Sequence, residues 1–174
     1  MTDVPWLTTQ EADAWLDLVA VAELLPAALD SQLTRDADLT FFDYLVLSQL
    51  AEAPDRSLRI TDLAAETNAT VARLSRVASR LERDGYVRRM RDDTDGRTRH
   101  AQLTDAGVQK LGSAAPDHIK TVRRLFADVL TVDQMGELSK LCRVLLGALD
   151  PDRILLAETL AGRSGRAGLS SMPH

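Results

Sequence analysis

Four arginines recur along one face of a predicted helix in the middle of this 174-residue sequence. Their spacing is i, i+3, i+7, i+10, and they are Arg73, Arg76, Arg80 and Arg83. At about 100° per residue, this spacing forms a stripe along the helix. Guanidinium groups in a stripe are suited to phosphates and to the edges of guanine bases. Three small residues beside the stripe would let the helix approach another surface closely: Ala72, Ser75 and Ser79.

The same segment carries an apolar face, formed by Leu74, Val77, Ala78 and Leu81. The two faces are centred roughly 140° apart on the helix. This pattern predicts a helix that is anchored in a core on one side and presents arginines to a DNA major groove on the other. The alternative is an ordinary solvated helix face, with Glu82 and Asp84 as ion-pair partners.

A predicted hairpin follows the helix and adds more arginines. Residues 86–91 and 98–103 have the composition of two strands, and an Asp- and Gly-rich turn joins them. Arg97 lies at the tip, beside Asp95. A protruding arginine is suited to a narrow minor groove, where the negative potential is enhanced. Asp95 is expected to hold the tip in shape by an ion pair.

Helix-capping signals define the elements around this segment. Thr61 and Thr70 are predicted to cap two short helices within residues 60–83, and Thr104 to cap the helix after the hairpin. Two longer apolar-striped helices begin with capping-box spacing, at Thr8–Glu11 and Thr131–Gln134. A further helix from about residue 40 is predicted to end before Pro54. Pro26 is expected to kink the first helix, and Pro116 to interrupt the helix that Thr104 caps.

The charge of the chain is uneven. It has 21 basic and 26 acidic residues, a formal net charge of −5. Residues 56–100 hold 11 arginines and seven acidic residues, which gives this middle segment +4 and leaves −9 for the rest. The net charge argues against a protein that coats nucleic acid by bulk charge. It does not exclude a local basic site. A genome that favours arginine codons is the alternative explanation of the asymmetry.

Composition and motifs exclude several other classes of protein. The single cysteine cannot form an internal disulfide, no apolar run approaches the ~20 residues of a membrane span, and the acidic start is unlike a signal peptide. We therefore expect a cytoplasmic protein without a membrane partner. The sequence has no phosphate-binding glycine loop, nucleophile elbow or Cys/His ligand set, so no enzyme, cofactor or metal site is predicted. The Asp-rich turn also fails as a calcium loop, because Arg91 and Gln102 would occupy ligand positions.

The ordered series of these features resembles the MarR family of bacterial transcriptional regulators. The text that carries the resemblance is "ITDLAAETNATVARLSRVASRLERDGYVRRMRDDTDGRTRHAQLTDAG", residues 60–107. The resemblance implies a mainly α fold with a small β-hairpin wing. It comprises a dimerisation helix over residues 8–39, a winged helix–turn–helix over 40–107 and dimerisation helices over 108–150. The end of the chain, residues 161–174, is small, polar and Gly-rich, and the tail over 151–174 is predicted to be partly disordered.

The resemblance also implies a function and a set of site residues. The protein would be a homodimeric, sequence-specific DNA-binding regulator, with repression as the expected effect, on a pseudo-palindromic operator. Groove-facing contacts are expected from Thr70, Arg73, Ser75 and Arg76. Phosphate contacts are expected from Arg80 and Arg99, and the wing-tip contact from Arg97 with Asp95 as its support. The alternative is a winged-helix module that binds proteins and has lost DNA binding.

Two further hypotheses concern regulation. In this family small aromatic or phenolic ligands often bind where the dimerisation arm meets the DNA-binding domain. Four residues are candidates to line such a pocket: Trp15, Phe41, Tyr44 and His118. The alternative is that the aromatic residues belong to the core and that His118 is exposed. Cys142 is either a small buried apolar residue or a redox switch, although the sensing cysteine of redox-regulated relatives lies near the N-terminus.

Overall fold

The computed structural model describes residues 5–91 and 99–150. Within these ranges, six helices and three short strands confirm the prediction of a mainly α fold with a small sheet. A 3₁₀ turn at Pro54–Arg56 follows the second helix, and a π-helical turn at Arg123–Ala127 follows the fifth. The elements are α1 (Thr9–Ala37), α2 (Phe41–Glu52), β1 (Ser57–Arg59), α3 (Ile60–Glu66), α4 (Val71–Arg83), β2 (Val87–Arg91), β3 (Arg99–Leu103), α5 (Asp105–Val122) and α6 (Val132–Leu149).

Most helices begin where the capping signals predict. Thr8 and Glu11 form a capping box at the start of α1, and Thr131 and Gln134 form one at the start of α6. Thr104 caps α5 through the Gly107 N–H group. The predicted cap at Thr61 is wrong. The chain passes from β1 directly into α3, so the helix begins at Ile60, and the Thr61 hydroxyl lies inside it and contacts the Asp62 carboxylate.

The two internal prolines do not end their helices. The first helix continues through Pro26, and α5 continues through Pro116. The predicted interruption at Pro116 is therefore wrong. A proline within a helix removes one backbone hydrogen bond and strains the preceding turn. In α5 the buried side chains of Ala114 and His118 lie on either side of Pro116, so packing on the core can retain the helix.

The sheet has three antiparallel strands in the order β1-β3-β2. Strands β2 and β3 form the predicted hairpin, with Val87 opposite Leu103 and Arg91 opposite Arg99. Strand β1 was not predicted. It pairs with the other edge of β3, where Leu58 lies opposite Ala101. The predicted turn and tip, with Asp95 and Arg97, lie outside the described residues, as does the predicted tail over 151–174.

The core joins the helix–turn–helix to α1, α2 and α5. Its largest fully buried side chains are leucines, at positions 33, 47, 50, 63, 74, 81 and 111. Helix α5 starts close to the first residues of the hairpin, because the Thr104 N–H group donates to the Tyr86 carbonyl oxygen at 3.0 Å. Gly107 makes this approach possible. A Cβ atom on Gly107 would overlap the same carbonyl oxygen and the Leu103 side chain.

The first half of α1 and the whole of α6 remain outside this core. No residue of α6 is buried. Both helices expose large apolar side chains, among them Trp15, Leu16, Leu18, Val21, Leu24, Leu138, Leu141, Val144, Leu145 and Leu149. Across the described parts of the chain, none of these helices has the length and apolar character needed to cross a membrane. Most helical stability in proteins comes from the packing of an apolar face, and α6 buries no residue in the single chain.

Candidate nucleic-acid interface

Helix α4 is anchored by one face and presents arginines on others. Leu74, Ala78 and Leu81 are buried, and Val77 packs partly buried against the same core. The predicted anchoring face is therefore confirmed. The chain turns from α3 into α4 at Asn68, whose φ of 50° is left-handed, a conformation that asparagine tolerates. The two helices thus form a helix–turn–helix unit, and we refer to α4 as the recognition helix.

The N-terminus of the recognition helix is fixed by two contacts. The Thr70 hydroxyl accepts a hydrogen bond from the Arg73 N–H group at 3.2 Å, which is the predicted cap. The Arg73 guanidinium lies over the Phe42 ring of α2, with 4.1 Å between Cζ and the ring centroid. Thr70 and Arg73 are both exposed. Thr70 and Arg73, which are expected to contact bases, therefore lie at a capped helix start.

Arg76 and Arg83 differ from the other arginines of the stripe. Both are exposed, and neither has a side-chain partner among the described residues. Ser75 lies half-buried between the two faces, and its carbonyl oxygen accepts the Ser79 hydroxyl at 2.7 Å. Because the Arg76 side chain is exposed and has no partner among the described residues, it can contact an anionic surface.

Arg80 is held by a carboxylate that the spacing of the arginines does not indicate. Its guanidinium forms an ion pair with Asp43, which is completely buried, whereas 39% of the Arg80 side chain is exposed. Asp43 also completes a capping box at the start of α2, where its carboxylate accepts the Thr40 N–H group at 2.8 Å. The Thr40-x-x-Asp43 spacing was a visible capping signal. Its second role depends on a residue 37 positions away, which no local pattern indicates.

The hairpin is attached to the recognition helix through Arg89. Its backbone N–H group donates to one Glu82 carboxylate oxygen at 3.0 Å and its Nε to the other at 2.6 Å. Its Nη1 also donates to the Ser79 hydroxyl at 2.8 Å. The Arg89 backbone N–H group, assisted by the guanidinium, lowers the pKa of Glu82 below its ordinary value. Glu82 thus pairs with the wing rather than with the arginines of its own helix.

The surroundings of Arg88 and Arg99 on the wing are also described. Arg88 donates to the Gln102 side-chain oxygen across the β2–β3 pair at 2.6 Å. Arg99 is exposed at the first residue of β3. The predicted contributions of Asp95 and Arg97 at the tip remain predictions, because both residues lie outside the described ranges.

Three of the four candidate pocket residues lie together. His118 of α5 is buried, and its ring centroid lies 4.3 Å from that of Tyr44 and 6.1 Å from that of Phe41. Its Nδ1 is buried without a hydrogen-bond partner. Burial lowers the pKa of His118. The alternative of an exposed His118 is therefore wrong, whereas Trp15 is 57% exposed in the outer half of α1.

Cys142 is exposed among the apolar side chains of α6. The alternative of a buried cysteine is thus wrong for the single chain. Within residues 5–91 and 99–150, no group of three or more His, Cys, Asp or Glu side chains is placed to hold a metal ion.

Together, the two-helix unit, the three-stranded sheet and the anchored arginine helix define a winged helix–turn–helix protein. The MarR family model matches residues 37–98. The fold is similar to that of Sco3205, a MarR family transcriptional regulator from Streptomyces coelicolor whose crystal structure is in complex with DNA. The two are 39% identical, the match covers 87% of this chain and 94% of that chain, and the TM-score is 0.82.

Two other relatives agree with this match. AbsC, a MarR family transcriptional regulator also from Streptomyces coelicolor, is 35% identical over 91% of this chain and 99% of its own, with a TM-score of 0.75. The transcriptional repressor MprA of Escherichia coli is 26% identical over 107 residues, which is 62% of this chain and 60% of that repressor's length. The chain belongs to the MarR family of transcriptional regulators, and this family is not one of enzymes.

Proposed function

We propose that the protein is a homodimeric, sequence-specific DNA-binding repressor. The observation that carries the proposal is the recognition helix, which is fixed by a buried face and exposes Arg73 and Arg76 from its first two turns. Recognition helices contact base edges through their N-terminal residues. The DNA in the Sco3205 structure and the role of MprA as a transcriptional repressor support the same function for this chain.

The surroundings of each side chain suggest its role. Thr70, Arg73, Ser75 and Arg76 are proposed to face the bases. Arg80 and Arg99 are proposed to contact phosphates. The Arg80 guanidinium is already ion-paired with Asp43, and Arg99 lies on the wing. Arg97 is proposed to enter the minor groove with Asp95 as its support. This division assigns sequence readout to the recognition helix and positioning to the arginines around it.

The exposed apolar sides of α1 and α6 are proposed to pair with a second copy of the chain. Monomeric soluble proteins rarely leave large contiguous apolar surfaces uncovered. A twofold axis would bury the same side chains on both copies. It would also place two recognition helices about 34 Å apart, in successive major grooves of a pseudo-palindromic site.

A small aromatic or phenolic effector is a second proposal, favoured by the unpartnered His118 Nδ1 between Tyr44 and Phe41. Such a ligand would supply the missing hydrogen bond and ring contacts. Trp15, which is exposed on α1, remains a candidate for the outer part of the pocket. The ligand would release DNA only if it bound the DNA-incompetent geometry more tightly.

The decisive experiment is a fluorescence-polarisation titration of fragments selected from the source genome, repeated at several salt concentrations. The proposal predicts tight binding to a small set of fragments and an affinity that falls steeply with salt. The protein-interaction alternative predicts no binding to selected or bulk duplex.

A redox regulator acting through Cys142 predicts that peroxide releases DNA from the wild type but not from Cys142→Ser.

A further inference from the structure

We infer that Phe42 is a positioning residue that presets Arg73 for contact with bases. The inference rests on the proposed DNA-binding function and adds a residue of α2 to the recognition machinery. The Arg73 Cζ atom lies 4.1 Å from the centroid of the Phe42 ring. This separation is well within the ~6 Å at which an aromatic face attracts a cation.

The ring is itself held in place by the core. Phe42 is half-buried and packs against the buried cluster, whereas Arg73 is exposed. The Phe42 ring is thus fixed by the core, and the exposed Arg73 guanidinium packs on its face. An arginine that is ordered before binding loses less rotamer entropy when the complex forms.

An aromatic ring orders an arginine without consuming its hydrogen-bond donors. Reading a guanine requires two N–H groups directed at O6 and N7. The carboxylate of Asp43 uses donors of Arg80, and Glu82 together with Ser79 uses those of Arg89. The attraction between a guanidinium and the face of a ring comes from the quadrupole of the ring. Arg73 is therefore fixed in place with its donors still available.

The position of Arg73 in the helix strengthens this interpretation. It lies in the first turn of α4, where the macrodipole disfavours a positive charge. That turn contains no acidic residue to offset the charge. Helix stability therefore does not explain an arginine at this position, whereas the Phe42 ring contacts its guanidinium.

A double-mutant cycle on a duplex selected from a random pool by the wild type tests the inference. Phe42→Leu keeps an apolar side chain but removes the ring face. We expect it to weaken binding about two- to fivefold in the wild type and to have no further effect in Arg73→Ala. Phe42→Tyr keeps the ring face and should restore affinity. A merely structural role for Phe42 predicts instead that Phe42→Leu and Arg73→Ala act additively.

Phe41→Leu is the matched comparison for this cycle. It removes the same ring from the adjacent position, which contacts His118 instead of an arginine. Whatever its own effect, it should add to that of Arg73→Ala without coupling. If Phe41→Leu and Phe42→Leu couple equally to Arg73→Ala, the inference is overturned.

A second measurement needs no substitution that risks the fold. In the NMR spectrum of the free wild type, the ring current of Phe42 should shift the δ protons of Arg73 upfield of those of Arg76, which has no described partner. Equal shifts for the two arginines overturn the inference. A wild type that binds no duplex overturns the proposed function and this inference with it, whereas additive effects in a wild type that binds overturn this inference alone.

Discussion

The buried carboxylate of Asp43 joins the start of α2 to the recognition helix by accepting both the Thr40 N–H group and the Arg80 guanidinium. Asp43 and Arg80 are 37 positions apart in the sequence. The orientation of α4 on the core therefore depends on a residue outside the helix–turn–helix.

Removing this carboxylate should lower stability. We expect Asp43→Ala to reduce the free energy of unfolding by roughly 1–3 kcal/mol, because the helix cap and the ion pair are lost together. Urea denaturation measures the change. Arg83→Ala is the control, because Arg83 is exposed on the same helix and has no partner within the described ranges, so its effect should stay within about 0.5 kcal/mol. Equal effects for the two variants would contradict this role of Asp43.

Two glycines of α5 should respond to alanine in opposite directions. Gly107→Ala places a methyl group against the Tyr86 carbonyl oxygen, and we expect a loss of about 1–3 kcal/mol. A Cβ atom at Gly112 meets open space, so Gly112→Ala should stabilise the protein by up to about 1 kcal/mol through helix propensity. Thermal and urea unfolding compare the two. Stabilisation by Gly107→Ala would contradict the close approach of Gly107 to the Tyr86 carbonyl oxygen.

The apolar side of α6 should control the oligomeric state. Leu145→Glu places a charge within the surface proposed to bind a second copy, and we expect a shift from dimer to monomer. Light scattering coupled to size-exclusion chromatography gives the mass directly. Lys140→Glu also introduces a negative charge on α6, but at an exposed charged position, and should remain dimeric. A monomeric wild type would contradict the proposed homodimer.

Burial of His118 predicts a specific dependence of stability on pH. The native state holds this imidazole neutral because its pKa is lowered, whereas the unfolded chain takes up a proton near the ordinary value of 6.5. Stability should therefore fall as the pH drops through 6.5 and level off below the lowered native value. Urea denaturation between about pH 7.5 and about pH 5 measures the slope. His118→Phe should flatten the slope of stability with pH, and an unchanged slope would contradict the lowered pKa of His118 in the native state.

Local signals in the sequence predict most of the helices and the anchored face of α4. Capping threonines and the spacing of leucines are properties of a few neighbouring residues, and burial of Leu74 and Leu81 follows from them. Strand β1 could not be predicted in this way. Its three residues are too few for a periodic pattern, and they become a strand only by pairing with β3.

The contacts that organise the candidate site depend on tertiary packing. The sequence marks Arg73 and Arg80 as members of one stripe, but their spacing does not show which group holds each side chain. Only the packing of α2 against α4 places a ring under the first and a carboxylate beside the second. The sequence likewise predicts the apolar stripe of α6 but not what covers it, because the proposed partner is a second copy of the chain.

The measurement that tests the central claim most directly compares Arg76→Ala with Arg124→Ala in polarisation titrations on a selected duplex. Both remove an exposed arginine, but Arg124 lies in the π-helical turn after α5. A base contact is worth about 1–3 kcal/mol, so Arg76→Ala should weaken binding roughly five- to 150-fold. Arg124→Ala should leave the affinity nearly unchanged. Equal affinities for wild type and Arg76→Ala, or equal losses in both variants, would contradict DNA readout by the recognition helix.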